Sequence, residues 1–292
     1  MASNAPRPSK AERTATAREQ ARKVYEQQQA ASKRKSLFLK LGVVVAVVVI
    51  IAVIATIIVQ NNNNNGDVAV SGPAPAHGNQ YGGYTLSADG LADTPAATVD
   101  MNQIPEAATG ADGKKMPAGL KADKKGEPVH VVVYADMSCP ICKQFEAQYG
   151  AELTQMSKDG DIELEYRIAT FLDRTSPTNY SSRAANALAC VADAKPEAFN
   201  DYLTALFEQQ PEEGSEGLPN AKLADIAEQS GAGDISSCAD GTKFRPWAQF
   251  VNTTFNKYEV GGTPAVYVNG KEWDMQSQDL KQLLDKAIAD NK

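Results

Sequence analysis

Histidine is almost absent from this chain. Its 292 residues contain two, His77 and His130. Cysteine is nearly as scarce, with four: Cys139, Cys142, Cys190 and Cys238. These scarcities limit metal chemistry. A C-x-x-C pair can form half of a zinc site, but a tetrahedral site needs two more ligands. None of His77, His130, Cys190 or Cys238 stands at C-x-x-C or H-x-x-x-H spacing, so the sequence calls for no metal and no cofactor. Long apolar runs are missing too, with one exception. Leu41 to Val59 is nineteen residues without a charge, mostly Val, Ile and Ala. At ~1.5 Å per residue the run spans about 28 Å, close to the ~30 Å hydrocarbon core of a bilayer. It has no amphipathic pattern, which argues against a buried soluble helix. A cleaved signal peptide is the rival. The run exceeds the usual ~7–15 residues and a long segment precedes it, although Val68-Ala69-Val70-Ser71 keeps a small-x-small site open. No cysteine borders the run, which excludes a lipoprotein anchor.

Positive charge is concentrated at the start. Residues 1–36 hold nine Lys/Arg against Glu12, Glu19 and Glu26, and Lys40 follows. The positive-inside rule places this end in the cytoplasm. The net charge is −7 overall; less +7 for residues 1–59, −14 remains for the rest. Topology on an anionic inner leaflet explains the basic stretch, so nucleic acid is not expected as a partner. The expected plan is a cytoplasmic basic tail over 1–36, a single-pass transmembrane helix over 37–59 and a flexible linker over 60–83. The linker is Asn-, Gly- and Pro-rich and includes Asn61 to Asn65. A folded domain over 84–292 then lies outside the cell membrane. Four cysteines on that side fit an oxidising compartment.

Cys139-Pro140-Ile141-Cys142 is the most informative motif. The run before it, Val129 to Tyr134, is rich in β-branched residues and predicts a buried strand. After it the spacing is helical, with Ile141, Phe145, Tyr149, Leu153 and Met156 on one face. Pro140 suits the first helical turn. Cys139 therefore stands at a helix N-terminus, beside unpaired N–H groups and the positive end of the dipole. That setting favours thiolate over thiol. Cys142 is one turn on, near enough to close a disulfide, so the pair can cycle by thiol exchange. A purely structural disulfide is the blander reading.

Further on, Ile162 to Ile168 alternates with Glu163, Glu165 and Arg167, which predicts a strand with one wet face. Helical segments follow over 182–194, 196–209, 221–230 and 244–258, with Asn220 a candidate cap for the third. Trp247, Phe250, Val251 and Phe255 read as core. Gly261-Gly262-Thr263-Pro264 then enters the apolar strand Ala265 to Val268. Asn269-Gly270 is a hairpin signal. Ser277 is the expected cap of a last helix carrying Leu280, Leu283, Leu284 and Ile288. Tyr84-Thr85-Leu86 reads as a weak first strand, and residues 87–127 as mostly loop.

Strand, C-P-x-C, amphipathic helix, intervening helices and the Thr-Pro strand, in that order, resemble the thioredoxin superfamily. They resemble more closely its DsbA-like extracytoplasmic branch. The resemblance covers about residues 81–292. It implies an α/β thioredoxin-like fold with an inserted all-helical domain at about 176–260. It also implies that Cys139 and Cys142 are the catalytic redox pair, supported by Pro140, Ile141, Asp136, Thr263 and Pro264. The Thr263–Pro264 bond is then expected to be cis and to lie beside the cysteines. Two departures stand out. Ala135 and Val133 occupy the positions where the family often carries a buried acid, leaving Asp136 as the nearest acid. The Pro-Ile dipeptide is neither the Pro-His of strong oxidants nor the Gly-Pro of reducing thioredoxins, so it does not fix redox direction.

If Cys139 and Cys142 pair, Cys190 and Cys238 remain of the three pairings that four cysteines allow. The expected function is a membrane-anchored thiol–disulfide oxidoreductase. It would introduce disulfides into exported proteins, with protein thiols as substrates and a membrane redox partner that reoxidises it. The alternatives are a reductase or isomerase of the same fold, and a non-enzymatic exported binding module with a structural C-x-x-C. Accessibility of Cys139 separates the last from the rest.

Overall fold

Buried valines at the centre of a mixed sheet organise the domain. The structure, a computed structural model, describes residues 68–87, 90–93, 98–109 and 115–292. The expected basic tail and transmembrane helix lie outside the described residues. Among the described residues no helix is long and apolar enough to cross a membrane. Short strands come first: β1 (Ser71–Pro73), β2 (Tyr84–Ser87), β3 (Gly90–Leu91), β4 (Thr98–Asp100), β5 (Ala108–Thr109) and β6 (Lys115–Met116). β7 (Val129–Ala135) leads into α1 (Pro140–Phe145), a π-helical turn (Glu146–Gly150), α2 (Ala151–Lys158) and β8 (Ile162–Ile168). Helices α3 (Tyr180–Ala194), α4 (Phe199–Glu208), α5 (Asn220–Gln229), α6 (Ser236–Asp240) and α7 (Arg245–Lys257) intervene. β9 (Ala265–Val268), β10 (Lys271–Glu272) and α8 (Leu280–Asn291) close the chain.

The main sheet has the order β10-β9-β7-β8-β2-β3. β7 and β8 run parallel, with Val131 opposite Leu164, and β9 and β2 lie antiparallel to them. Every residue of β7 is buried. Its alternate residues feed two cores, because successive side chains point to opposite faces. Val131 and Val133 join Leu164, Phe145, Leu153, Leu280 and the inserted helices on one face. Val132 and Tyr134 meet Tyr258, Tyr267 and Phe255 on the other. This is a thioredoxin-like α/β fold with helices inserted between β8 and β9. Asn269 (φ 47°) and Gly270 (φ 77°) make the β9–β10 turn, where both central positions need positive φ. Trp247, Phe250, Val251 and Phe255 are buried.

Several local expectations are overturned. Residues 68–83, the described part of the linker expected over 60–83, dock on the domain. β1 pairs with β4, and Ala74 is buried. Gly72 and Gly78 lie so close to α7 that a Cβ would sit 2.6 Å from Pro246 and 2.7 Å from Trp247. Small residues let this segment lie flat on the helix, a contact that composition alone conceals. Residues 87–127 are less irregular than expected, because β3, β4, β5 and β6 fall within them.

The expected wet face of β8 is dry beyond Glu163, which stays half-buried and pairs with Lys121. Glu165 and Arg167 are buried and paired at 2.5 Å. Arg167 also donates to the Ala118 carbonyl and the Tyr134 hydroxyl, each at 2.9 Å. Burial alone raises the Glu165 pKa, but the Arg167 charge, with His130 and further hydrogen bonds, holds it at about 2. His130 accepts from the Lys121 N–H at 3.1 Å through Nδ1, and its Nε2 lies 3.9 Å from Glu165. At the helix ends, Asp279 rather than Ser277 caps α8, accepting from Gln282 N. Asn220 is the first residue of α5 rather than its cap; its side chain bonds Asp240 and Arg183.

Candidate active site

β7 delivers the motif to the end of the sheet, and a tight turn reverses the chain. Cys139 N donates to the Asp136 carbonyl at 3.0 Å. Cys139 then becomes the N-cap of α1, with extended backbone (φ −82°, ψ 114°), and Pro140 takes the first helical turn. Proline suits that position because the N–H it lacks has no helical acceptor there. The Cys139 sulfur accepts the Cys142 N–H at 3.3 Å, satisfying one of the donors that a helix start leaves free. The two cysteines are free thiols, both buried, and Cys142 is the deeper at 1% exposure. Ile141 between them is 47% exposed. Helical spacing places Ile141 on the same face as Phe145, which is buried. Ile141 points to solvent instead, on the rim of the site.

The second side of the site comes from the chain entering β9. The Thr263–Pro264 peptide bond is cis. The Cys139 thiol donates to the Thr263 carbonyl at 3.3 Å. Among the described residues the buried Thr263 hydroxyl has no hydrogen-bond partner, which leaves it available to a thiolate.

These contacts drive the two thiols apart. The Cys142 side chain is the main influence that lowers the Cys139 pKa. The Thr263 side chain and the N–H groups of Cys142 and Ile141 assist against the cost of burial, and the value falls to about 6. Burial, followed by the neighbouring Cys139, pushes the Cys142 thiol well up. One sulfur is thus ready to be a thiolate at neutral pH and the other is held as a thiol.

Asp136, expected to support the cysteines, meets Cys139 through its backbone carbonyl, while its side chain bonds other partners. Its carboxylate accepts from Ser138 N (2.9 Å), Leu172 N (3.1 Å) and Ser181 Oγ (2.5 Å). It therefore ties the motif's turn to α3 and to the segment that follows β8. Burial raises its pKa to about 7 in spite of those three donors. Three other residues escaped the sequence reading. Glu146 begins the π-helical turn, is buried, and accepts from the Tyr166 hydroxyl at 3.0 Å; burial raises its pKa to about 6. Gln210, just after α4, donates to the carbonyls of Met137 and Cys139. Ser181 links Asp136 to Ser138, whose hydroxyl is 2.8 Å away. The π-helical turn itself was hidden, because the apolar spacing runs unbroken through it. Away from the site, Cys190 of α3 and Cys238 of α6 form a disulfide with a Cα–Cα distance of 6.0 Å.

Residues 124–286, more than half of the chain, match the protein-family profile described as Thioredoxin. The chain is 29% identical over 150 residues to the Serine/threonine-protein kinase PknE of Mycobacterium tuberculosis, covering 48% of this chain and 26% of the kinase. It thus spans about a quarter of that relative's length. It is 27% identical over 152 residues to Disulfide bond formation protein D of Bacillus subtilis, covering 51% of this chain and 66% of that protein. Among solved structures, MdbA, a thiol-disulfide oxidoreductase from Actinomyces oris, has a TM-score of 0.52 at 18% identity, covering 74% of this chain and 92% of that one. That likeness is one of fold.

Proposed function

This chain belongs to the thioredoxin family, and we propose on that premise that it is an extracytoplasmic thiol–disulfide oxidoreductase that introduces disulfides into exported proteins. One observation carries the reading: the Cys139 sulfur accepts the Cys142 N–H at the start of α1, with its pKa down at about 6. A thiol of low pKa leaves faster in exchange, and a stabilised thiolate makes the dithiol form favourable, which is the character of an oxidant.

In the oxidised protein a substrate thiolate attacks the Cys139 sulfur. The Cys139–Cys142 bond breaks, a mixed disulfide forms, and Cys142 takes up a proton as it leaves. A second substrate thiolate then attacks the substrate sulfur of that mixed disulfide and expels Cys139 as a thiolate. The substrate loses two electrons and two protons; the protein takes both electrons and one proton, on Cys142, while Cys139 stays a thiolate at neutral pH and the second proton goes to solvent. A membrane redox partner takes the two electrons and restores the disulfide. Residues 37–59 anchor the protein, with the N-terminus in the cytoplasm and the C-terminal domain outside. Pro140, Ile141, Thr263 and Pro264 shape the site, while Asp136 holds the motif's turn. The disulfide between Cys190 and Cys238 suits an oxidising compartment.

The test is the equilibrium of the pair with glutathione, together with oxidation of a reduced model protein. Oxidation of that protein at a potential well above that of thioredoxin supports the reading. A potential near thioredoxin's ~−270 mV would assign a reductase instead. Failure of Cys139 to react selectively with an alkylating agent would leave only a binding module.

A further inference from the structure

The helical insertion reaches the redox motif through one side chain. Gln210 follows α4, and its Nε2 donates to the Met137 and Cys139 carbonyls, each at 3.0 Å. Both partners are acceptors, so only the amide nitrogen fits there, and both of its hydrogens are used. The Cys139 carbonyl also accepts the Lys143 N–H at 3.2 Å. Lys143 Nζ in turn donates to the Glu208 carbonyl at 3.0 Å, at the end of α4. The last turn of α4 and the residues after it therefore hold the redox segment at two points.

We propose that Gln210 is a positioning residue of the redox site: its amide fixes the Met137–Cys139 segment to the helical insertion and so holds the Cys139 sulfur against the start of α1. The proposal rests on Cys139 being the nucleophile. Gln210 bonds carbonyls and no sulfur, so it acts through the backbone. Its two N–H dipoles offset the negative ends of the Met137 and Cys139 carbonyls, one of them in the residue that carries the sulfur, which favours the thiolate. Without them the thiolate is less favoured, the dithiol form loses stability relative to the disulfide, and the protein becomes a weaker oxidant.

The experiment titrates the thiolate absorbance of reduced wild type, Gln210→Met and Gln210→Glu, and equilibrates each with glutathione. Gln210→Met is expected to lower the Cys139 acid dissociation constant by at least about three-fold, since hydrogen bonds that favour the charged form are lost. Gln210→Glu sets a carboxylate against two carbonyls and is expected to lower it further. The exchange equilibrium shifts toward the disulfide in both. Tyr202→Phe is the control: it loses a bond to the Leu223 carbonyl within the insertion and is expected to change the melting temperature alone. If Gln210→Met does not fold, Gln210→Glu decides. An unchanged titration in the folded variants, or an equal shift in Tyr202→Phe, overturns the proposal. The titration needs no turnover, so a wild type that oxidises nothing would sink the proposed function and leave this result readable.

Discussion

The Cys139 thiol and the Thr263 carbonyl meet at 3.3 Å across 124 residues of sequence. One caps the start of α1 and the other lies at the entry to the last sheet hairpin. Their meeting requires β7 and β9 to be neighbours, which the antiparallel pairing of Tyr134 with Ala265 secures. The site is therefore a property of the whole sheet and not of the C-x-x-C segment alone.

Cys139→Ser is expected to abolish oxidation of a reduced model protein. Cys142→Ser is expected to accumulate mixed disulfides through Cys139, visible as reductant-sensitive adducts on non-reducing gels. Wild-type activity in the Cys139 variant would refute the assignment of the nucleophile.

The dithiol form should gain stability with pH. The Cys139 pKa lies at about 6 in the folded protein against an ordinary value of 9.0. A depressed pKa contributes stability that is fully present above the unfolded value and is lost as pH falls through the folded one. Urea melts of reduced protein should therefore strengthen relative to the Cys139→Ser variant as pH rises from about 6 to 9. Cys142, displaced upward, is a thiol through most of that window and begins to oppose folding only as pH nears 9.0. A pH-independent difference between the two proteins would contradict the low pKa.

Replacing Cys190 and Cys238 by alanine together should destabilise the domain by about 4 kcal/mol. The sequence separation is 48 residues, and the loop-entropy relation gives that magnitude. Chemical denaturation checks it, and a double variant that unfolds like wild type would show that the bridge does not constrain the unfolded chain.

Gly83→Ala probes the docked N-terminal segment. A Cβ there would stand 2.0 Å from Glu165 Oε1. Glu165 cannot yield without leaving Arg167, so the expected loss is about 1–3 kcal/mol, typical of overpacking. An unchanged thermal midpoint would mean that this segment is loosely held.

The strand–cysteine–helix turn at Cys139 and the sheet hairpin were legible because each depends on local rules. Val129 to Tyr134 is β-branched, Pro140 marks a helix start, and Asn269-Gly270 marks a hairpin. Burial of charge was not legible. Glu165 and Arg167 alternate with apolar residues as any solvent-facing pair would. Only the tertiary cover supplied by Tyr81, Ala118 and Tyr134 turns them inward. The docking of residues 68–83 was hidden for a related reason. Its glycines signal flexibility in isolation and close approach once α7 lies against them. Gln210 gave no signal because its two partners are backbone carbonyls, which leave no trace in residue type.

The bond between Cys190 and Cys238 also makes a closed ring of the chain between them. Gln210 and the exposed Glu212 and Glu213 lie within that ring. A single protease cut there leaves one covalent molecule, which separates into two pieces only under reduction. Both ends of such a cut stay moored to α3 and α6.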